Sequence, residues 1–274
     1  MGSESSDERE RGGWDVIEAA VDAAEERLGD RLASAYAIGS LAHGGFAPAV
    51  SDVDLALLTG EPVEDIGPIL EEIQDEVTGT RELGARLSIF HAPWAEFDDP
   101  PEGARFPPID RFDLVRFGIL VGGTDLRGAY ATLPSAEEIR GHAVESALRR
   151  VTPERLDADL GELAADGVTV KDATKAVLWP IRLQHVCDVA QATGNADAVA
   201  HYRSLPDARH GDLAEDALGW RDLRAIPDPA DALARIDAEL RDLHVEVFRR
   251  LGARPETPRR DELIERADQL AAAT

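Results

Sequence analysis

The chain has 274 residues, 43% of them hydrophobic, enough to bury the core of one large domain or two modest ones. Its 54 acidic side chains outnumber 29 basic ones, a net charge of -25 spread along the whole length. No apolar run approaches the ~20 residues that span a bilayer, no basic patch offers itself to a long nucleic acid, and the single cysteine, Cys187, excludes an intrachain disulfide.

In chain order, residues 1–13 are polar and charged, without the apolar centre of an export signal, and read as a disordered acidic tail. With one cysteine and no such signal, the expected compartment is the cytoplasm. Trp14, Ile17, Val21, Ala24 and Leu28 recur at helical spacing up to Gly29. The apolar run Ala33 to Ile38 reads as a strand ending at Gly39-Ser40. A glycine-rich loop follows, then a second strand from Ser51 to Leu58 (SDVDLALL), marked by polar-apolar alternation. Glu64 to Val77 is an amphipathic helix, and Arg86 to Ala92 a third strand. The Pro-, Asp- and Glu-rich segment 93–107 reads as a surface loop, and Ile109 to Val121 as a helix stopped by Gly122-Gly123.

Beyond residue 130 strand signals vanish. Thr152-Pro153, Asp228-Pro229 and Thr257-Pro258 each pair an N-cap residue with proline at the first helical position. Leu233, Ile236, Leu240, Leu243 and Val247 lie 3, 4, 3 and 4 apart on one helix that stops at Gly252. The expected layout is a tail (1–13), an α/β domain (14–130) and an all-helical domain (131–274).

The chemistry concentrates in Gly39 to Leu55, GSLAHGGFAPAVSDVDL. Gly39 lets backbone approach a phosphate, and Ser40 offers a hydroxyl and an amide at a helix start. Asp52 and Asp54, two apart on a strand, share a face. Two carboxylates ~5 Å apart repel by roughly 3 kcal/mol at an effective dielectric of ~20, which a cation between them relieves. Ligands that are all oxygen favour Mg²⁺ or Mn²⁺.

The Gly-Ser turn, the Gly44-Gly45 pair and the Ser51-Asp52-x-Asp54 run resemble the signature of the nucleotidyltransferases, the DNA polymerase beta-like superfamily, and within it the aminoglycoside adenylyltransferase branch. The resemblance implies an α+β fold: a mixed sheet with flanking helices, joined to a C-terminal helical bundle. It also implies phosphate contacts from Ser40 and Ser51, a metal held by Asp52 and Asp54, and transfer of a nucleotide, AMP from ATP, to a hydroxyl of a small-molecule acceptor.

Many members place a third acid on the next strand. The best register here puts Arg86 at that position, with Ser88 two residues on. Arg86 would then pair with an acid or touch phosphate, and Glu82 or His91 would have to supply the base. A non-catalytic, regulatory or antitoxin-like nucleotide binder is therefore the alternative reading, and a homodimer completing the site across its interface is a further option. In the second half, Lys171, Lys175, Leu178 and Arg182 share a helical stripe continued by His185, a cationic complement to a triphosphate or a salt-bridged structural face. By resemblance Arg182 contacts the nucleotide. Pro180 predicts a kink, and Trp179 either packs in the core or stacks on adenine. Lys171 and Lys175 are the only lysines. Together with the acidic excess, that makes the composition similar to proteins of salt-loving archaea, so the charge describes the solvent or else a basic partner.

Overall fold

Along Leu32–Ile38 the small and large apolar side chains alternate between two clusters, as period-two geometry demands of a strand buried on both faces. This computed structural model describes residues 6–98, 100, 105–130, 133–165 and 168–273. The chain divides into two compact units, 1–134 and 135–274.

In the first unit, β1 (Leu32–Ile38) pairs antiparallel with β2 (Val53–Thr59) and with β4 (Ile119–Gly123), while β2 runs parallel to β3 (Leu87–Pro93). The resulting mixed sheet has the order β3-β2-β1-β4. Six helices interleave with it: α1 (Ser6–Leu28), α2 (Gly39–Ala42), α3 (Ile66–Thr80), α4 (Trp94–Asp98), α5 (Pro108–Phe117) and α6 (Arg127–Tyr130). Ala35, Ala37, Val53, Leu55 and Leu57 pack against α1 and α3 through Val16, Ile17, Ile73 and Val77. Tyr36, Ile38, Ala56 and Leu58 point to the opposite face, where Trp94, Phe97, Phe106 and Leu114 cover them.

Three expectations are corrected in this unit. The acidic tail is helical from Ser6 onward, because α1 begins there; residues 1–5 lie outside the described residues. The segment 93–107 is more than a surface loop. It carries α4, and Trp94, Phe97 and Phe106 are buried, with the Phe97 ring 5.4 Å from each of the other two, so aromatic packing outweighs the local Pro and Asp content. The helix expected over 109–121 stops at Phe117, and β4 takes over. Gly118 makes the break: a Cβ there would meet the Leu114 carbonyl oxygen at 2.4 Å. β4 is short and lies at the sheet edge with Ile119 and Leu120 exposed, so it lacks the alternation that announces a strand.

The second unit consists of α7 (Ala136–Arg150), α8 (Pro153–Ala165), α9 (Val170–Val189), α10 (Asn195–Ser204), α11 (Gly211–Leu223), α12 (Pro229–Gly252) and α13 (Arg260–Ala272). Ile236, Leu240, Leu243 and Val247 of α12 are buried together with Val177, Ile181 and Tyr202, as their spacing requires. Asp228 caps α12 by accepting from the amides of Ala230 and Asp231, both at 3.1 Å. Thr257-Pro258 does not open α13. That helix starts at Arg260, after Arg259 in a left-handed conformation (φ 52°), while Thr257 is buried in the preceding turn. No helix among the described residues is long and apolar enough to cross a membrane.

Candidate active site

The site sits where β1 ends and β2 begins. Ile38, the last residue of β1, pairs with Asp54, and Asp54 pairs on its other side with Ser88 of β3. Val53 and Leu55 are buried under α1 and α3, so strand alternation sends Asp54 to the opposite face, the one that Ala56 and Leu58 share with α4 and α5. Asp52 immediately precedes β2 and is exposed.

Gly39 follows β1 with φ +65°, and a Cβ there would lie 2.5 Å from Asp54 Oδ2. The carboxylate of Asp54 therefore rests against the α-carbon of the Gly-Ser turn, a space that only glycine leaves open. Helix α2 has four residues, too few for a macrodipole, so an anion here would depend on individual amides and hydroxyls. The Ser51 hydroxyl accepts from the Ala47 amide at 2.9 Å, tying the glycine-rich loop back on itself just before Asp52.

The Arg86 guanidinium donates to the carbonyls of Ala49 (2.7 Å) and Ser51 (3.3 Å). It precedes β3 and braces the loop that delivers Asp52; it is no substitute acid. The β3 residue beside Asp54 is Ser88. Glu82 is exposed in the turn before β3. His91 pairs with Leu57, on the sheet face opposite Asp54, hydrogen-bonds to Thr59 Oγ1 at 3.2 Å, and has its pKa lowered by burial. Its position rules it out as a base beside Asp54. Arg86→Ala is expected to cost about 1–3 kcal/mol by removing the two-pronged charged donor that ties the loop before Asp52 to β3. Arg86→Lys should recover little of that, since one ammonium cannot reproduce the fork; chemical denaturation of the three proteins checks it.

One residue at the turn escaped the sequence reading. Asp113 of α5 is 8% exposed, and its Oδ2 accepts from the Gly39 amide at 3.3 Å. Its Oδ1 accepts from His43 Nε2 at 2.6 Å, and the His43 ring packs 4.8 Å from that of Phe117. Arg111, Phe112, Asp113 and Leu114 are all buried, so α5 shows no polar face from which a functional acid could be picked out.

Gly39, Ser40, Ser51, Asp52 and Asp54 thus fall in one region of the first unit. Lys171, Lys175 and Arg182 belong to α9 in the second unit. Lys175 and Arg182 are exposed, but Leu178 and His185 of the expected stripe are buried, so the cationic face is interrupted. Lys175 and Trp179 line a cavity of about 460 Å³ with Leu156, Leu163 and His244. The Trp179 and His244 rings stack at 6.1 Å, and burial lowers the His244 pKa to about 4. α9 runs as one helix with Pro180 inside it.

The first unit is a four-stranded mixed sheet flanked by helices, and a helical bundle follows it in the chain. In three dimensions the chain is similar to spectinomycin adenyltransferase AAD(9) from Enterococcus faecialis, solved with ATP and spectinomycin. The TM-score is 0.51 and the identity 14%, over 81% of this chain and 99% of that one. No family model matches the sequence, and no curated protein matches it either. At that identity the likeness establishes the fold.

Proposed function

We propose that this chain is a metal-dependent nucleotidyltransferase that moves a nucleotide, AMP from ATP, to a hydroxyl of a small-molecule acceptor. The observation that carries the reading is the Asp54 carboxylate held against the Gly39-Ser40 turn, with Asp52 two residues before it. The fold likeness to an adenyltransferase solved with ATP and a small molecule supports the reaction class.

Asp52 and Asp54 would hold the divalent ion. The donor set suits Mg²⁺, which takes one or two carboxylates and fills its remaining positions with water and substrate phosphates. When bound, such an ion neutralises charge developing on a pyrophosphate leaving group. Gly39 lets the backbone approach the phosphates, and Ser40 and Ser51 supply hydroxyls. The Arg86 brace fixes the loop that presents Asp52. The acceptor oxygen attacks the α-phosphorus in line as pyrophosphate departs. The acidic surface, with two lysines in the whole chain, suits a protein working in concentrated salt.

The test is pyrophosphate release by the pure protein with ATP, Mg²⁺ and hydroxyl-bearing acceptors at high salt, which this reading expects to depend on both metal and acceptor. A second reading, nucleotide binding without transfer, is favoured by one feature: Ser88, not an acid, stands beside Asp54. Calorimetry decides for it if ATP binds in a metal-dependent way and no acceptor yields pyrophosphate.

A further inference from the structure

The cavity of about 460 Å³ in the second unit has no part in the chemistry proposed above, and its lining comes from that unit alone. Its volume falls in the range of sites that hold small organic molecules, roughly 300–1,000 Å³. The floor is apolar and buried, with Leu156, Leu163 and Leu240, and the half-buried Trp179 ring forms a wall. Charged side chains stand only at the exposed edge. Asp172 there is committed to the Thr169 hydroxyl at 2.5 Å, which leaves Arg150 and Lys175 to balance Asp159 and Glu162. A net charge on a ligand would therefore find no unbalanced partner.

His244 is the polar exception in the floor. It is 5% exposed, and burial lowers its pKa to about 4, so near neutral pH one ring nitrogen donates and the other accepts. Nδ1 lies 2.9 Å from the Leu240 carbonyl of the same helix. A carbonyl only accepts, so Nδ1 carries the proton and Nε2 the lone pair. Trp179 stacks on the ring at 6.1 Å and Phe248 approaches it edge-on at 6.4 Å. With Nδ1 turned into its own helix, Nε2 is the nitrogen that His244 offers to the cavity it lines. A buried acceptor among apolar groups is costly until a donor meets it. We propose that this cavity binds an uncharged, flat heteroaromatic molecule with one N–H donor, its ring packed against Trp179 and its N–H donated to His244 Nε2. The inference concerns the second unit only and does not rest on the nucleotidyltransferase reading.

The test is isothermal titration of the full chain, at high salt and neutral pH, with indole and with benzofuran. The two have nearly the same shape, but benzofuran carries an oxygen that cannot donate where indole carries N–H. The unaltered protein is expected to bind indole about 3- to 10-fold more tightly, the effect of one neutral hydrogen bond. His244→Phe keeps an aromatic ring beside Trp179 and removes the acceptor. It should bring indole down to the affinity of benzofuran and leave benzofuran within about twofold. Trp179→Leu should weaken both compounds about 10-fold, through lost ring contact and apolar area. The comparison of the two compounds on the unaltered protein carries the test if the phenylalanine variant does not fold. Absence of binding by either compound, equal affinity for the two, or undiminished binding in Trp179→Leu would each overturn the inference and leave the nucleotidyltransferase reading in place.

Discussion

Asp54→Asn should lower ATP-dependent pyrophosphate release by about 10³-fold or more, while the protein stays folded. The asparagine fills the same space against Gly39, so the turn keeps its shape. What disappears is the full negative charge that a divalent ion needs as a ligand, and electrostatic contributions of this kind are worth several kcal/mol in the transition state. Stability should hold or rise, because the change removes a repulsion of roughly 3 kcal/mol at most between neighbouring carboxylates in a partly wet site. Asp52→Asn should act in the same direction with a smaller loss, its side chain being exposed where water competes as a ligand. Activity at saturating ATP, read beside a denaturation midpoint for each variant, separates this outcome from simple unfolding. Pyrophosphate release at the original rate in both variants would remove the metal role assigned to this pair.

The parts of the architecture legible beforehand were those with a period. β2 and the apolar stripe of α12 carry regular spacing, and β1 and β3 are short runs of strand-forming residues, so local pattern located them. Glycine 39 and the two aspartates were legible because a turn and an alternating strand are local features. The remainder depended on long-range packing. Edge strand β4 has two exposed apolar residues and a glycine end, and it exists because β1 offers it hydrogen bonds. Trp94, Phe97 and Phe106 lie in a stretch whose prolines and acids outvote them locally, yet they cover the sheet once folded. The register that set Arg86 at the third-acid position is replaced by Ser88 beside Asp54, and the partners of Arg86 are carbonyls 35 and 37 residues away. Asp113 is 74 residues from Gly39 and 70 from His43, in a chain where aspartate is common. Nothing in its own neighbourhood distinguishes it from a solvated acid.

Gly39→Ala should be far more damaging than Gly44→Ala, which supplies its control. Both glycines have left-handed backbones, φ +65° at Gly39 and +71° at Gly44, so an alanine at either pays about 1 kcal/mol or more of conformational strain. Their surroundings differ. At Gly44 an added Cβ meets nothing within 4 Å, whereas at Gly39 it would lie 2.5 Å from Asp54 Oδ2. The Asp54 carboxylate must then rotate away, or the turn must move and strain the amide bond to Asp113. A displacement of about 1 Å in a reacting constellation is enough for a loss near 10²-fold. Gly39→Ala is therefore expected to lose about 100-fold in kcat/KM for ATP, and Gly44→Ala less than about threefold, at similar losses of stability. Parallel measurement of rate and unfolding midpoint in the two variants isolates the contact with Asp54 from backbone strain, because strain is the part they share. Equal activity in the two would mean that the position of the Asp54 carboxylate over the Gly-Ser turn does not matter to the chemistry.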